Sequence, residues 1–210
     1  MQKYNKKHKK GGRAGFTLLE LLIVIAVLAI LMTMAVITLN PAETLRKARD
    51  TQRITDLSTL KTAIGLYVAE TASPSMGSAA TIYVSAPTAT PFTGTPTEAG
   101  FAAYNQETSA DMRKINGSGW IPIIFADMAI GSPISSLPVD PTNITSAVPL
   151  NTDLCYRYVT DTSNNFEIAA TFESTYYKNT IDLDGTDGGN IIGVYEVGTK
   201  FIVTTTFAGH

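Results

Sequence analysis

Residues 15–31 read Gly15-Phe16-Thr17-Leu18-Leu19-Glu20-Leu21-Leu22-Ile23-Val24-Ile25-Ala26-Val27-Leu28-Ala29-Ile30-Leu31. The apolar run extends from Phe16 to about Leu39 and carries one charge, Glu20. A helix of about 20 apolar residues is long enough to cross a bilayer. A carboxylate near the start of such a run is costly in hydrocarbon, which marks Glu20 as a functional position whose partner should be sought. On the N-terminal side, residues 1–15 hold Lys3, Lys6, Lys7, Lys9, Lys10 and Arg13 and no acid. The positive-inside bias keeps this leader cytoplasmic and sends the rest outward. An ordinary secretory signal has a shorter apolar stretch followed by a small-residue cleavage site. Here the small pair Ala14-Gly15 lies before the apolar run instead.

The stretch Gly15-Phe16-Thr17-Leu18-Leu19-Glu20 resembles the class III signal of type IV pilins and type II secretion pseudopilins. The resemblance implies a prepilin peptidase that cuts between Gly15 and Phe16 and N-methylates the new terminal Phe16. An uncleaved single-pass anchor explains the basic flank and the apolar run, but not Glu20. Cleavage would place an ammonium at Phe16 inside the apolar region, and pairing it with a carboxylate offsets much of the cost of burying either. Phe16 and Glu20 lie four residues apart in one chain, whereas the resemblance implies pairing between neighbouring subunits; the sequence leaves both geometries open. Thr17 either caps the start of the helix or bonds back to a carbonyl.

The 210 residues carry 16 Lys and Arg against 18 Asp and Glu, and six of those cations sit in the leader. A chain beginning at Phe16 therefore has ten cations, eighteen acids and a net charge of −8. Such a surface argues against direct nucleic-acid binding, which needs clustered Lys and Arg. Cys155 is the only cysteine, so no intrachain disulfide forms. Related exported pilins often close a C-terminal loop with a disulfide, so another device must pin that region here. Cys155 itself reads as a small buried strand residue.

Asn40-Pro41 interrupts the helical pattern, and a kink followed by a continued helix is expected there. Beyond it, Leu45, Ala48, Ile54, Leu57, Leu60, Ile64, Tyr67 and Val68 fall near a 3.6 period, predicting an amphipathic helix. The basic cluster Arg46 to Arg53 reads as a solvated face, or alternatively as a contact with lipid phosphates or an acidic face of the next subunit. Pro74 and its Ser and Gly neighbours end the helix. Residues 73–100, rich in Ser, Thr, Ala, Pro and Gly, read as a long surface connection with one short strand; O-glycosylation is implied only by the resemblance. Asn116-Gly-Ser118 and Asn143-Ile-Thr145 are N-x-Ser/Thr triplets of a kind that arise often by chance. Trp120-Ile-Pro-Ile-Ile-Phe125 is an apolar anchor, with a short helix expected from Pro122. Leu137-Pro-Val-Asp-Pro141 reads as a turn-rich corner and resembles a segment of several pilin heads. Tyr156–Val159, Phe166–Phe172 and Phe201–Phe207 read as strands, with a turn at Thr162–Asn165.

His8 and His210 are the only histidines, which makes Ser-His-Asp, Cys-His and zinc sites improbable. No phosphate-binding glycine loop is present. One cluster stands apart, Asp182-Leu-Asp184-Gly-Thr-Asp187-Gly-Gly-Asn190. Alternating oxygen ligands around glycine turns suit Ca²⁺, and the resemblance implies a calcium site in a C-terminal loop of major pseudopilins. The twelfth position holds Gly193 where an EF-hand has a bidentate Glu. The alternative for Asp182, Asp184, Asp187 and Asn190 is a hairpin loop bonded to its own backbone.

These readings combine into an α+β chain: a basic leader over 1–15, a long N-terminal helix over 16–72, and a globular head over 73–210. Residues 16–39 form the membrane-spanning or filament-core half, with a break near 40–41. The helix packs on a C-terminal antiparallel sheet. The expected function is that of a structural subunit and not an enzyme: a pilus-like filament serving adhesion, twitching motility or DNA uptake. It would be membrane-anchored with its N-terminus inside before assembly and extracellular afterwards. Its partners are then further copies of itself, the prepilin peptidase and a pilus assembly platform. The rival readings are a pseudopilin of type II secretion and a membrane-anchored surface binding module.

Overall fold

The computed structural model describes residues 15–86, 92, 96, 101–146, 152–191 and 193–202. The chain divides into two compact units, one ending at Pro41 and one running from Ala42 onward. The first contains helix α1, Leu18–Leu39, none of whose side chains is buried. A helix that is hydrophobic all round belongs in a lipid or protein interior and not in water. Its two late hydroxyls are satisfied internally, Thr33 donating to the Ala29 carbonyl and Thr38 to that of Met34, both at 2.8 Å. The helix stops at Asn40, whose φ of 39° is left-handed. Asn tolerates that conformation better than most residues, and Pro41 cannot donate a backbone hydrogen bond to carry the helix through.

Helix α2, Pro41–Glu70, begins on Pro41, a residue suited to a first helical position. The buried positions of α2 are Asp50, Arg53, Leu57, Leu60, Ala63, Ile64 and Tyr67. Their spacing of three and four is the expected stripe, but its first third is charged. Leu45 and Ala48, expected on the buried face, are exposed, and Ile54 is half-buried. The reason is geometric: stepping back from Leu57 along the stripe leads to Arg53 and Asp50, not to Ala48 and Leu45.

Five strands follow: β1 Thr81–Val84, β2 Ala103–Gln106, β3 Arg157–Thr160, β4 Phe166–Ala170 and β5 Tyr195–Gly198. Their order is β2-β1-β3-β4-β5, antiparallel except for the β1–β2 pair, which is parallel. On one face, Tyr158, Phe166, Ile168 and Ala170 pack with Leu57, Leu60, Ile64 and Tyr67 of α2 and with Trp120, Phe125 and Leu137. On the other, Ile82, Val84, Val159 and Ala169 meet Cys155, Ile191, Val194, Phe101 and Tyr104. Both faces of the sheet are covered, which is why β3 and β4 are buried at every position.

Three details depart from expectation. The helix expected at Pro122 is a short 3₁₀ turn over Phe125–Asp127, because Ile121 and Ile123 are fully buried as core side chains. Among the described residues the last strand is β5, and Phe201 and Ile202 lie outside any strand; the remainder of the expected strand, 203–207, lies outside the described residues. The strand expected in the polar connection is β1, and it recruits β2 as a parallel neighbour.

Candidate functional site

Gly15, Phe16 and Thr17 precede the first helical residue and are exposed. A Cβ added at Gly15 would meet nothing within 4 Å. Thr17 is the N-cap of α1 and forms a capping box with Glu20. The Glu20 backbone N–H donates to Thr17 Oγ1 at 3.2 Å. Glu20 Oε2 in turn accepts the Thr17 backbone N–H at 2.8 Å and its hydroxyl at 2.9 Å. This arrangement satisfies donors that a helix start leaves open. It also fixes the carboxylate at the helix start, one turn from Phe16. Thr17 is thus a cap and not a back-bonded residue.

In the head, the basic cluster is divided between the interior and the surface. Arg53 is fully buried, where the sequence predicts a solvated face or an external contact over residues 46–53. Its guanidinium donates to Asp140 through Nε at 2.6 Å and Nη2 at 2.8 Å, and to Asp50 through Nη1 at 2.7 Å. Glu173 Oε1 lies 2.7 Å from Nη2. Burial works against this charge, but Asp140, Glu173 and Asp50 outweigh it and hold Arg53 above its ordinary value. Asp50 also accepts the backbone N–H groups of Glu173 and Ser174, both with an oxygen within 2.9 Å. Asp140 accepts those of Thr142 and Asn143, so the Leu137–Pro141 corner combines turn chemistry with an ion pair. Arg49 grips Glu173 through two donors, Nε at 2.8 Å and Nη2 at 2.6 Å. This Arg49 contact, joined by Arg53 and Thr142, holds the Glu173 carboxyl down at about 2 against the effect of burial. One guanidinium thereby ties α2, the Leu137–Pro141 corner and the segment after β4 together without a disulfide.

The C-terminal Asp loop is pinned differently. Asp182 is left-handed, with φ 54°, and opens the one-turn helix α3, Leu183–Thr186. Asp184 is buried. Asp187 is spent on backbone donors: Oδ1 accepts Gly189 N–H at 2.8 Å and Oδ2 accepts Glu196 N–H at 2.5 Å. Asn190 N–H and Ile191 N–H both donate to Glu196 Oε2 at 2.8 Å. Gly189 is required here, since a Cβ would stand 2.1 Å from that same oxygen. Among the described residues, no three His, Cys, Asp or Glu side chains are gathered as a metal site. Of Asp182, Asp184, Asp187 and Asn190, Asp187 has both carboxylate oxygens engaged by backbone N–H groups, as a hairpin reading expects.

Glu196 escaped the sequence reading. It is 1% exposed, and its Oε1 has no hydrogen-bond partner. Burial, and then the Glu167 carboxylate beside it, hold Glu196 far above the usual carboxylate range. The folded state thus keeps a proton that the unfolded chain releases above its ordinary value of 4.5. Stability from this group is full below that value and is lost as pH rises toward the elevated folded one. Glu196→Gln, which places a donor where the proton sits, should flatten this slope. Thermal unfolding followed through the single, buried Trp120 should show the variant more stable at pH 8, by about 1–2 kcal/mol, and nearly unchanged at pH 5. Equal slopes in both proteins would place the proton elsewhere. Cys155 is fully buried, and burial pushes its thiol up to about 12, which leaves it inert.

An all-round apolar helix with a capped acid at its start, followed by an amphipathic helix on a sheet, is a pilin-like α+β arrangement. Residues 10–36 match the family model of the prokaryotic N-terminal methylation motif. This motif is the class III signal peptide found in type IV pilins and pseudopilins, and the match is confined to that N-terminal segment of the chain. Neither the curated proteins nor the solved structures supply a match.

Proposed function

We propose that this chain is a structural, non-catalytic subunit of an extracellular type IV pilus-like filament. The observation that carries the reading is the exposed Gly15-Phe16 pair, one turn before the Glu20 carboxylate, at the head of a helix with no buried side chain. A prepilin peptidase cuts after Gly15 and methylates Phe16. The helix holds the chain in the cytoplasmic membrane, N-terminus inside, until an assembly platform extracts it. In the filament the α1 helices bury one another's apolar surface and the heads face outward. The Phe16 ammonium pairs with a Glu20 carboxylate, because either charge alone is costly in that core. Adhesion, twitching motility or DNA uptake are the roles such a filament serves.

Intact mass and N-terminal sequencing of filament protein test this reading. The chain should begin at Phe16 and carry one methyl group on its amine. Gly15→Leu should arrest processing and leave the leader attached. Because Gly15 has open space around it, that block would arise at the peptidase and not from misfolding. Assembled protein that retains Met1 would overturn the proposal.

A further inference from the structure

We propose that, before assembly, the base of the head rests on the phospholipid surface through Tyr176 and Ile181, with Arg46 and Lys47 reaching the headgroups. This rests on the reading of α1 as a membrane span. The argument starts from chain length. Helix α1 has 22 residues, about 33 Å at 1.5 Å per residue, which matches a hydrocarbon core of about 30 Å. Glu43 to Lys47 follow Leu39 by four to eight residues. Counted at helical rise they lie roughly 6–12 Å further along the chain. That is at or just outside the headgroup layer, roughly 5–8 Å deep on each side.

The segment Thr175–Ile181 is fastened to this level although it is distant in sequence. Thr175 Oγ1 donates to Glu43 Oε1 at 2.8 Å, and the Tyr176 N–H donates to the same oxygen at 3.3 Å. Lys47 Nζ stands 4.3 Å from the centre of the Tyr176 ring. Tyr177 Oη and Thr51 Oγ1 are 3.1 Å apart. Within this segment Tyr176 is 36% and Ile181 43% exposed, so apolar surface faces outward beside the residues that follow α1 most closely in the chain. Tyr and Lys are the side chains that sit well at this boundary, with an apolar body and a polar tip. Local charge favours a headgroup contact over simple attraction to anionic lipid. Arg46 stands against Glu43 at 3.8 Å, and Lys178 acts on Asp184. The chain from Phe16 onward carries −8 overall. The contact therefore does not require acidic lipid.

The test uses the full chain reconstituted in phosphatidylcholine vesicles, with and without phosphatidylglycerol. An environment-sensitive fluorophore is placed at Ile181→Cys, Ile25→Cys or Ile130→Cys; the buried Cys155 stays unlabelled. Ile130 is 72% exposed, and its N–H is bonded to Glu70 at the far end of α2, about 40 Å from Pro41. Headgroup-labelled quencher lipid should quench and blue-shift the 181 label in both vesicle types and leave the 130 label in water. Tyr176→Ser should reduce quenching at 181 while Trp120 fluorescence reports a folded head. If 25 is lipid-shielded but 181 is as water-exposed as 130, the surface contact is wrong and the membrane reading stands. If 25 is not shielded, both fall. Shielding of 181 that grows with protein density would replace the lipid by a second copy and overturn the proposal.

Discussion

Arg53→Ala is expected to destabilise the head by about 3–5 kcal/mol, a large share of the roughly 5–15 kcal/mol that holds a typical domain together. The cost arises because Asp50 and Asp140 stay buried at 0% and 2% exposure when their counter-charge is removed. Their backbone N–H partners remain, so both carboxylates keep some hydrogen bonds but lose the positive charge between them. Arg53→Lys should recover only part of the loss, since an ammonium cannot address Asp140 through two parallel donors while also meeting Asp50. Denaturant unfolding followed by Trp120 fluorescence measures both variants. The pH dependence supplies a second reading. Glu173, held down to about 2, contributes stability above the ordinary value of 4.5 that disappears as pH falls between the two. In Arg53→Ala one of its cations is gone, so the gap between variant and parent should narrow from pH 7 to pH 3. A gap that stays constant would mean that lost packing, not charge, carries the effect.

Glu20→Ala should abolish filaments without reducing membrane insertion. Losing the acid removes the one charged side chain from the apolar run, which eases insertion. On the proposed pairing, it also deprives the Phe16 amine of its counter-charge during packing. The capping box adds a complication that the structure resolves into a control. Glu20 also accepts from Thr17, so loss of the acid frays the helix start as well. Thr17→Ala breaks the same cap while leaving the carboxylate in place. Electron microscopy of cells carrying each variant separates the two roles: filaments from Thr17→Ala and none from Glu20→Ala assign assembly to the charge. Filaments lost equally from both would assign it to the cap.

The N-terminal third was readable because its signals are local. The basic leader, the apolar length and the Gly15, Phe16 and Glu20 spacing depend on neighbours within one or two turns, as does the break at Asn40-Pro41. The alternating pattern of Phe166, Ile168 and Ala170 was local in the same sense, and those residues do face α2. What tertiary structure alone decided is the fate of the charges. Arg53 and Asp50 look like ordinary surface residues of a helix, and Asp140 like a turn residue 87 positions away from Arg53. Only the docking of α2 on the sheet and the Leu137–Pro141 corner makes them a buried cluster. A weak sign existed, since the stripe of Leu57, Leu60, Ile64 and Tyr67 continues backward onto Arg53 and Asp50. The Asp loop shows the converse. Asp182, Asp184 and Asp187 at short spacing are compatible with a cation or with a turn, and composition cannot separate them. In the folded chain the N–H groups of Gly189 and Glu196 face the Asp187 carboxylate, a contact between the loop and β5 that composition does not show. Glu167 and Glu196 could not be read at all. They sit in strands where alternation points them to an outer face, and that face is buried only because the loops around Phe101 and Ile191 fold over it.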